Sequence, residues 1–462
     1  MPAIPIYPSA GAARQTLLRR YAPEDTPVPD DLSRRIAALF GTPLTPAQAV
    51  AEIVADVRRR GGAGLREWSQ RLDGYDPEAP GAPPLAVSDL EIVQAYDAVP
   101  ADVVQALEEA ADRINQFHER QPVGSWLVEG MGGLLGQFVR AIERAAVLLP
   151  GGPGPQPSAL LMAALPARVA GVDELIVCTP PGPGGAVAPA LLVAADIAQV
   201  QTIYRIGGAQ AVAALAYGIG GIPRVDKIVG AGDLFATLAK QAVAGAVGTD
   251  GPAGPSDLLI IADDGARAEW IAADLLAQAE HATLAAAVLV TPSRALAEAV
   301  QAEVDTQLAA LASDGGAAEA LAARGGIVVT ADLGEAVTLA DDYAPARLAL
   351  FVRDPWDVAQ QVRHAGMLFL GEHSYPVLGE FVAGPGQVLP AWGGARFASP
   401  LSVLDFVRLT GFVGLRPDDA LEWGVVAETL ARAEGLAARA AAAARRRAGS
   451  ELDAHLAARA ED

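Results

Sequence analysis

The chain is poor in several features that would narrow its class at once. Cysteine occurs once in 462 residues, as Cys178, so no intramolecular disulfide can staple the fold. Aromatic residues make up only 5%, which leaves the core to aliphatic and small side chains. Basic residues number 34 against 55 acidic ones, for a net charge of -21. A surface of that sign repels phosphate backbones and argues against a nucleic-acid partner. No run reaches the ~20 apolar residues that a membrane span requires, so no membrane partner is expected. The opening MPAIPIYPSAGAARQ lacks a basic segment followed by an apolar one. No signal peptide is therefore expected, and the cytoplasm is the default location.

What is plentiful is apolar and small: hydrophobic residues reach 52%, carried by Ala, Leu and Val, with 48 glycines. That mix fits helices packed on buried strands, and the length suits two or three domains. Cys178 ends the run Leu175-Ile176-Val177-Cys178. The run reads as a buried strand, where apolar surroundings disfavour a thiolate.

Val50, Ile53, Val54 and Val57 recur at i, i+3, i+4, i+7 and predict helix over 46–72. A second helical stretch covers about 87–120. The Pro- and Gly-rich loop from Pro150 to Pro157 cannot be helix or central strand, and a domain boundary is expected just before it. Strands are then predicted at 174–178, 202–206, 226–229, 257–262, 287–291, 326–330, 348–352 and 367–370. Helices at 210–217, 267–281, 293–312, 334–342 and 355–365 alternate with them. Such alternation implies parallel sheets with right-handed crossovers.

The expected fold class is therefore α/β, with two parallel-sheet, incomplete Rossmann-like domains and helical N-terminal and C-terminal extensions. The expected boundaries are an arm over 1–32, a discontinuous larger domain over 33–146 and 258–401, a Rossmann-like domain over 147–257, and a helical tail over 402–462. Ligands in such folds sit past the carboxyl ends of strands. No internal repeat is visible. Ala437 to Arg447 is nearly all Ala and Arg, which reads as a solvated terminal helix or an arm on a partner subunit.

Several runs together resemble the histidinol dehydrogenase family over about residues 45–440. They include LLPGGPGPQPSALLMAALPARVAGVDELIVCTPP, YRIGGAQAVAALAYG, VDKIVGAGDLFATLAKQAVAGAVGTDGPAGPSDLLIIAD, DLLAQAEH and FVAGPGQVLPAWGGARFASPLSVLDF, in order and at matching spacing. The resemblance implies a homodimer with shared active sites, a zinc ion, and two successive NAD-linked oxidations of an amino alcohol to an amino acid.

The resemblance also assigns residues. Gln278 and His281, at i, i+3 on one helix face, match two zinc ligands. Glu380 stands where the family has an aspartate ligand, and Arg439 where it has a histidine ligand. A guanidinium cannot donate a lone pair to zinc. Zinc takes about four ligands, so Gln278, His281 and Glu380 form a weakened set. His373 lies close enough in sequence to be a substitute ligand or an exposed loop histidine. The family's Glu-His acid–base pair is replaced by Ala346 and Arg347, in Tyr343-Ala344-Pro345-Ala346-Arg347. Neither side chain moves a proton near neutral pH. General acid–base help is worth on the order of 10²–10⁴ in rate, so the family's double oxidation should be crippled unless another group serves. The neighbouring Asp341 and Asp342 offer carboxylates or are simply solvated.

On the cofactor side, Leu148 stands where a family tyrosine holds NAD, Gln210 matches a family glutamine, and Asp233 replaces an asparagine. Asp233 can equally be a helix N-cap. On the substrate side, Ser256 and Glu434 match family contacts, Gln387 replaces a histidine, and Pro376 replaces a glutamate. Losing that glutamate and gaining Arg439 suits an anionic substrate better than a diamine-like one. His118 has the family's context without a chemical role. Three readings remain open: an NAD-linked oxidoreductase of a different small polar alcohol, a functional histidinol dehydrogenase of histidine biosynthesis, and a catalytically silent homologue kept as a binding or partner subunit.

Overall fold

The computed structural model describes residues 4–130, 132–151, 154, 156–230, 233–251, 254, 257–280, 285–311 and 316–449. Contacts divide them into two units. The first joins the residues up to Gln121 with Ile142–Phe406, and the second joins Pro122–Ala141 with the residues from Val407 onward.

The first unit contains two parallel sheets. In the five-stranded sheet the order is Thr202–Arg205, Glu174–Thr179, Arg144–Leu148, Lys227–Val229, Gly248–Thr249. The six-stranded sheet runs Ile6–Tyr7, Gly325–Val329, Ala286–Thr291, Asp257–Ala262, Arg347–Phe351, Met367–Leu370. Both are wound alike. Apart from Ile6–Tyr7, which adds at one edge of the six-stranded sheet, the first strand of each run lies inside, the next two add on one side and the following two on the other. This is the doubly wound pattern, whose switch point in the five-stranded sheet falls between Arg144–Leu148 and Lys227–Val229. The α/β class and the two parallel sheets are as expected. Strands such as Leu258–Ile261 are fully buried, which is why they read as unbroken apolar runs.

The helices of the N-terminal third sit elsewhere than expected. Thr45 caps Pro46–Arg60 in a reciprocal box with Gln48, and Pro46 takes the first turn, where its missing N–H costs nothing. Val50, Ile53, Val54 and Val57 of that helix pack with Ile176 and Ile228 of the five-stranded sheet. Leu107 and Ile114 pack with Val147 and Val177 on its other face. The helices of 33–118 therefore cover the five-stranded sheet rather than joining 258–401, because their apolar stripes match the sheet that follows them in the chain. The stretch expected as one helix over 87–120 is two, Asp89–Ala98 and Ala101–His118, broken at Val99-Pro100. The helix expected over 355–365 ends at Ala359.

The tail expected to be helical from 402 instead carries a strand. Val407–Leu415 pairs antiparallel with Gly133–Ala141, whose other edge takes Trp126–Glu129. Helices Pro417–Ala433 and Ala437–Arg447 follow. Among the described residues no helix is long and apolar enough to cross a membrane.

One buried ion pair shapes the switch point. Lys240 and Asp250, both 2% exposed, are paired. Lys240 Nζ also donates to Gly230 O at 3.0 Å, and Asp250 accepts from Gly230 N at 2.8 Å. The turn after Lys227–Val229 is thus held from both of its backbone polar groups. Lys240→Met would leave Asp250 buried without its cation, and it should cost about 3–5 kcal/mol in denaturant unfolding. A loss below about 1 kcal/mol would show that the pair does not hold this turn.

Candidate functional site

Two glycines clear the carboxyl end of the five-stranded sheet. A Cβ on Gly230 (φ 120°) would lie 2.2 Å from Leu148 O, and one on Gly207 would lie 2.2 Å from Pro180 Cγ. Neither turn tolerates a side chain. Gln210 lies in the first turn of helix Gly208–Tyr217 and is wholly buried. Its Nε2 donates to Asp73 Oδ2 at 2.9 Å, and its Oε1 has no partner among the described residues. Burial pushes the Asp73 carboxyl up to about 6, although hydrogen bonds from Gln210 and the Gly207 backbone oppose the shift. Asp233 caps helix Leu234–Ala242, accepting from Ala236 N at 2.9 Å, and burial raises its carboxyl above the ordinary range. The N-cap alternative for Asp233 is therefore what its side chain does. Leu148 is 2% exposed and packs in the core with Val50 and Ile228. Its side chain faces helices rather than a ligand cleft.

The second cluster lies at the amino end of the six-stranded sheet. Arg347 opens the strand Arg347–Phe351, pairing with Leu258 on one side and Met367 on the other. The turn before it is tied down. Arg20 donates to Tyr343 O at 2.9 Å and to Ala344 O at 3.1 Å, and it is ion-paired with Asp257. Asp257 in turn accepts from Ala346 N at 2.6 Å. Ala344, at φ 50°, adopts the left-handed conformation that ends helix Leu333–Tyr343.

From this anchored start the Arg347 side chain, 2% exposed, reaches two oxygens. Nη1 donates to Gln278 Oε1 at 3.0 Å, and Nη2 pairs with Glu380 Oε1 at 3.2 Å. Gln278 comes from helix Ala268–Ala279 and Glu380 from helix Pro376–Phe381. One turn before Gln278, Asp274 is buried, and desolvation together with the Glu380 charge pushes its carboxyl up to about 7. A carboxyl there exchanges its proton near neutrality, the range in which acid–base groups work.

A family model for histidinol dehydrogenase matches residues 44–447. The histidinol dehydrogenase of Deinococcus radiodurans is 45% identical over 432 residues, 93% of this chain and 97% of that protein. That of Moorella thermoacetica is 46% identical over 391 residues, covering 84% and 92%. The crystal structure of histidinol dehydrogenase from Elizabethkingia anophelis superposes with a TM-score of 0.85 at 29% identity, over 96% of this chain and 98% of that one.

The chain belongs to the histidinol dehydrogenase family.

Set against the histidinol dehydrogenase pattern, the structure brings together Gln278, Glu380 and Arg347, which is two metal positions and one base position. His281 and Ser256 lie outside the described residues. Glu434 and Arg439 are exposed in the second unit, and Gln387 is half-buried in the first. Pro376 begins the short helix that carries Glu380. Ala346 is buried, with its backbone N–H on Asp257. Asp341 and Asp342 do not stand in for the lost pair. The first accepts from the backbone of Arg363 and His364, and the second pairs with Arg14. His373 is exposed, edge-on to Trp270, and His118 is buried beside Gln121 with its proton affinity lowered by burial. The Cys178 thiol is fully buried and pushed up by desolvation.

The zinc ion that the family implies does not fit these side chains as they stand. The oxygens of Gln278 and Glu380 that would ligate it accept from Arg347. A monovalent and a divalent cation 4 Å apart repel by on the order of 8 kcal/mol at an effective dielectric of about 20. Among the described residues no group of three or more His, Cys, Asp or Glu side chains is gathered for a metal. For a dinucleotide the described residues offer the carboxyl end of a doubly wound sheet and Gln210 Oε1, an acceptor with no partner among them. Sequence reasoning missed Asp274, although helical spacing from Gln278 marks it. It also missed Arg20 and Asp257, which no local signal links to Arg347.

Asp73 supplies a pH test. Its carboxyl is raised in the folded chain, so the protonated form stabilises the fold below about pH 4 and that contribution is lost as pH rises through about 6. From pH 5 to 7.5 Asp73→Asn should gain about 1 kcal/mol on the wild type. Parallel stability curves would show that Asp73 is not buried beside Gln210.

Proposed function

We propose that this chain is an NAD-linked dehydrogenase that oxidises L-histidinol towards L-histidine, working in the cytoplasm as a homodimer. The observation that carries the reading is identity of 45% spread over 93% of the chain to a histidinol dehydrogenase that is itself covered to 97%. Similarity of that extent lends nothing to a catalytically silent homologue. The homodimer is supported by the apolar side chains that the second unit leaves exposed, among them Trp126, Leu127, Val413 and Leu430.

NAD, when bound, accepts the hydride from the carbinol carbon. The dinucleotide would sit past the carboxyl ends of the five-stranded sheet, as doubly wound folds place one, and Gln210 would offer Oε1 to a donor on it. Asp233 spends one oxygen capping its own helix. It is therefore the weakest of these candidates for NAD. Ser256 and Gln387 are the candidates for substrate in the first unit, and Glu434 and Arg439 in the second. No step is routed through a metal.

A second reading is favoured by one observation. Ala346 and Arg347 leave the family's base positions without a titrating group, which points to NAD-linked oxidation of another small polar alcohol. NADH formation with L-histidinol and with a panel of amino, hydroxy-acid and phosphorylated alcohols separates the two. Turnover of L-histidinol, together with rescue of a histidine auxotroph, is expected on the first reading, and turnover of another alcohol alone on the second. Absence of both, with no NAD-dependent rise in melting temperature, would remove the two readings together. Sedimentation at the monomer mass would remove the homodimer.

A further inference from the structure

We propose that the guanidinium of Arg347 takes the place of the divalent metal at this site, so that Gln278 and Glu380 are held together by a side chain instead of by zinc. The proposal concerns the metal and not the substrate, and it stands whichever alcohol is oxidised.

Three observations carry it. The first is geometry. Two nitrogens of one planar group reach two oxygens from different helices, at 3.0 Å and 3.2 Å. A metal would bridge the same two acceptors. The second is burial. Arg347 is 2% exposed and the Glu380 side chain 15%, so the pair is screened from water and each group needs the other. The third is fixation. Arg347 is the first residue of its strand, paired on both sides, and the turn before it is tied to Asp257 and Arg20. Moving the guanidinium aside to admit an ion would take its positive charge away from its carboxylate. Arg remains protonated at any working pH, so proton loss offers no way to vacate the site. Arg439, at the fourth ligand position, is a second residue that cannot ligate zinc.

The experiment compares zinc content of the full-length protein purified without chelators, by elemental analysis and by competition with a chromogenic chelator. Wild type, Arg347→Ala, Arg347→Lys and Arg347→Ala/Glu380→Gln are each loaded with zinc sulfate and dialysed. Wild type and Arg347→Lys should retain little zinc. Arg347→Ala should retain at least about ten times more, because it frees two ligand oxygens, and adding Glu380→Gln should abolish that gain. Stoichiometric zinc in the wild type that Glu380→Gln removes would overturn the proposal. So would an Arg347→Ala protein as free of zinc as the wild type. If Arg347→Ala does not fold, the wild type decides alone. Its melting temperature should not move with added zinc, and a rise that Glu380→Gln eliminates would overturn the proposal.

Discussion

Charge balance at one buried guanidinium organises the reaction side of this molecule. Arg347 needs the oxygens of Gln278 and Glu380, and they need it. A buried carboxylate without its cation costs several kcal/mol. The acceptors arrive from the helix after the strand Asp257–Ala262 and from the short helix after Met367–Leu370. Three stretches of chain therefore converge on one side chain. Arg20 and Asp257 fix the turn from which that side chain starts. The geometry resembles a metal centre in its convergence and differs in what sits at the centre.

The two halves of the first unit have diverged in use while keeping one winding. At the carboxyl end of the five-stranded sheet glycines let two turns pack closely, and the Lys240–Asp250 pair fixes one of them. Gln278 and Arg347 lie instead at the amino end of the six-stranded sheet, the first ending a helix that returns to it and the second opening one of its strands. A doubly wound sheet would place a cofactor at its carboxyl end, whereas Gln278 and Arg347 meet at the opposite end of the other sheet. The cofactor side keeps Gln210 but has Leu148 in the core and Asp233 on its own helix, while Ala346 and Arg347 occupy the base positions on the other side.

Much of the fold was legible because burial leaves plain marks. Strands buried on both faces read as apolar runs, and Asp257–Ala262 was placed to the residue, as was the apolar edge strand Met367–Leu370, which is only partly buried. The strand Val407–Leu415 was not, since it is half-buried at most on either face and shows no alternation for the eye to catch. Helical stretches over 46–72 and about 87–120 were visible, but helical periodicity does not say where a break falls or which sheet an apolar stripe covers. The shared winding of the two sheets was invisible because strand order is a property of the backbone, which the side chains of the two halves do not repeat. At the site, the sequence showed that Arg347 replaces a titrating group. It did not show that the guanidinium would turn to Gln278 and Glu380, since that depends on the turn held by Arg20 and Asp257, far away in the chain. Asp274 lies one helical turn before Gln278, but its nearness to Glu380 depends on how the two helices meet.

The most direct measurement is anomalous X-ray scattering at the zinc absorption edge, from crystals grown and soaked with zinc. The account predicts continuous density for the Arg347 guanidinium between Gln278 and Glu380, with no anomalous peak there. An anomalous peak at bonding distance from both oxygens, with Arg347 swung away, would contradict it.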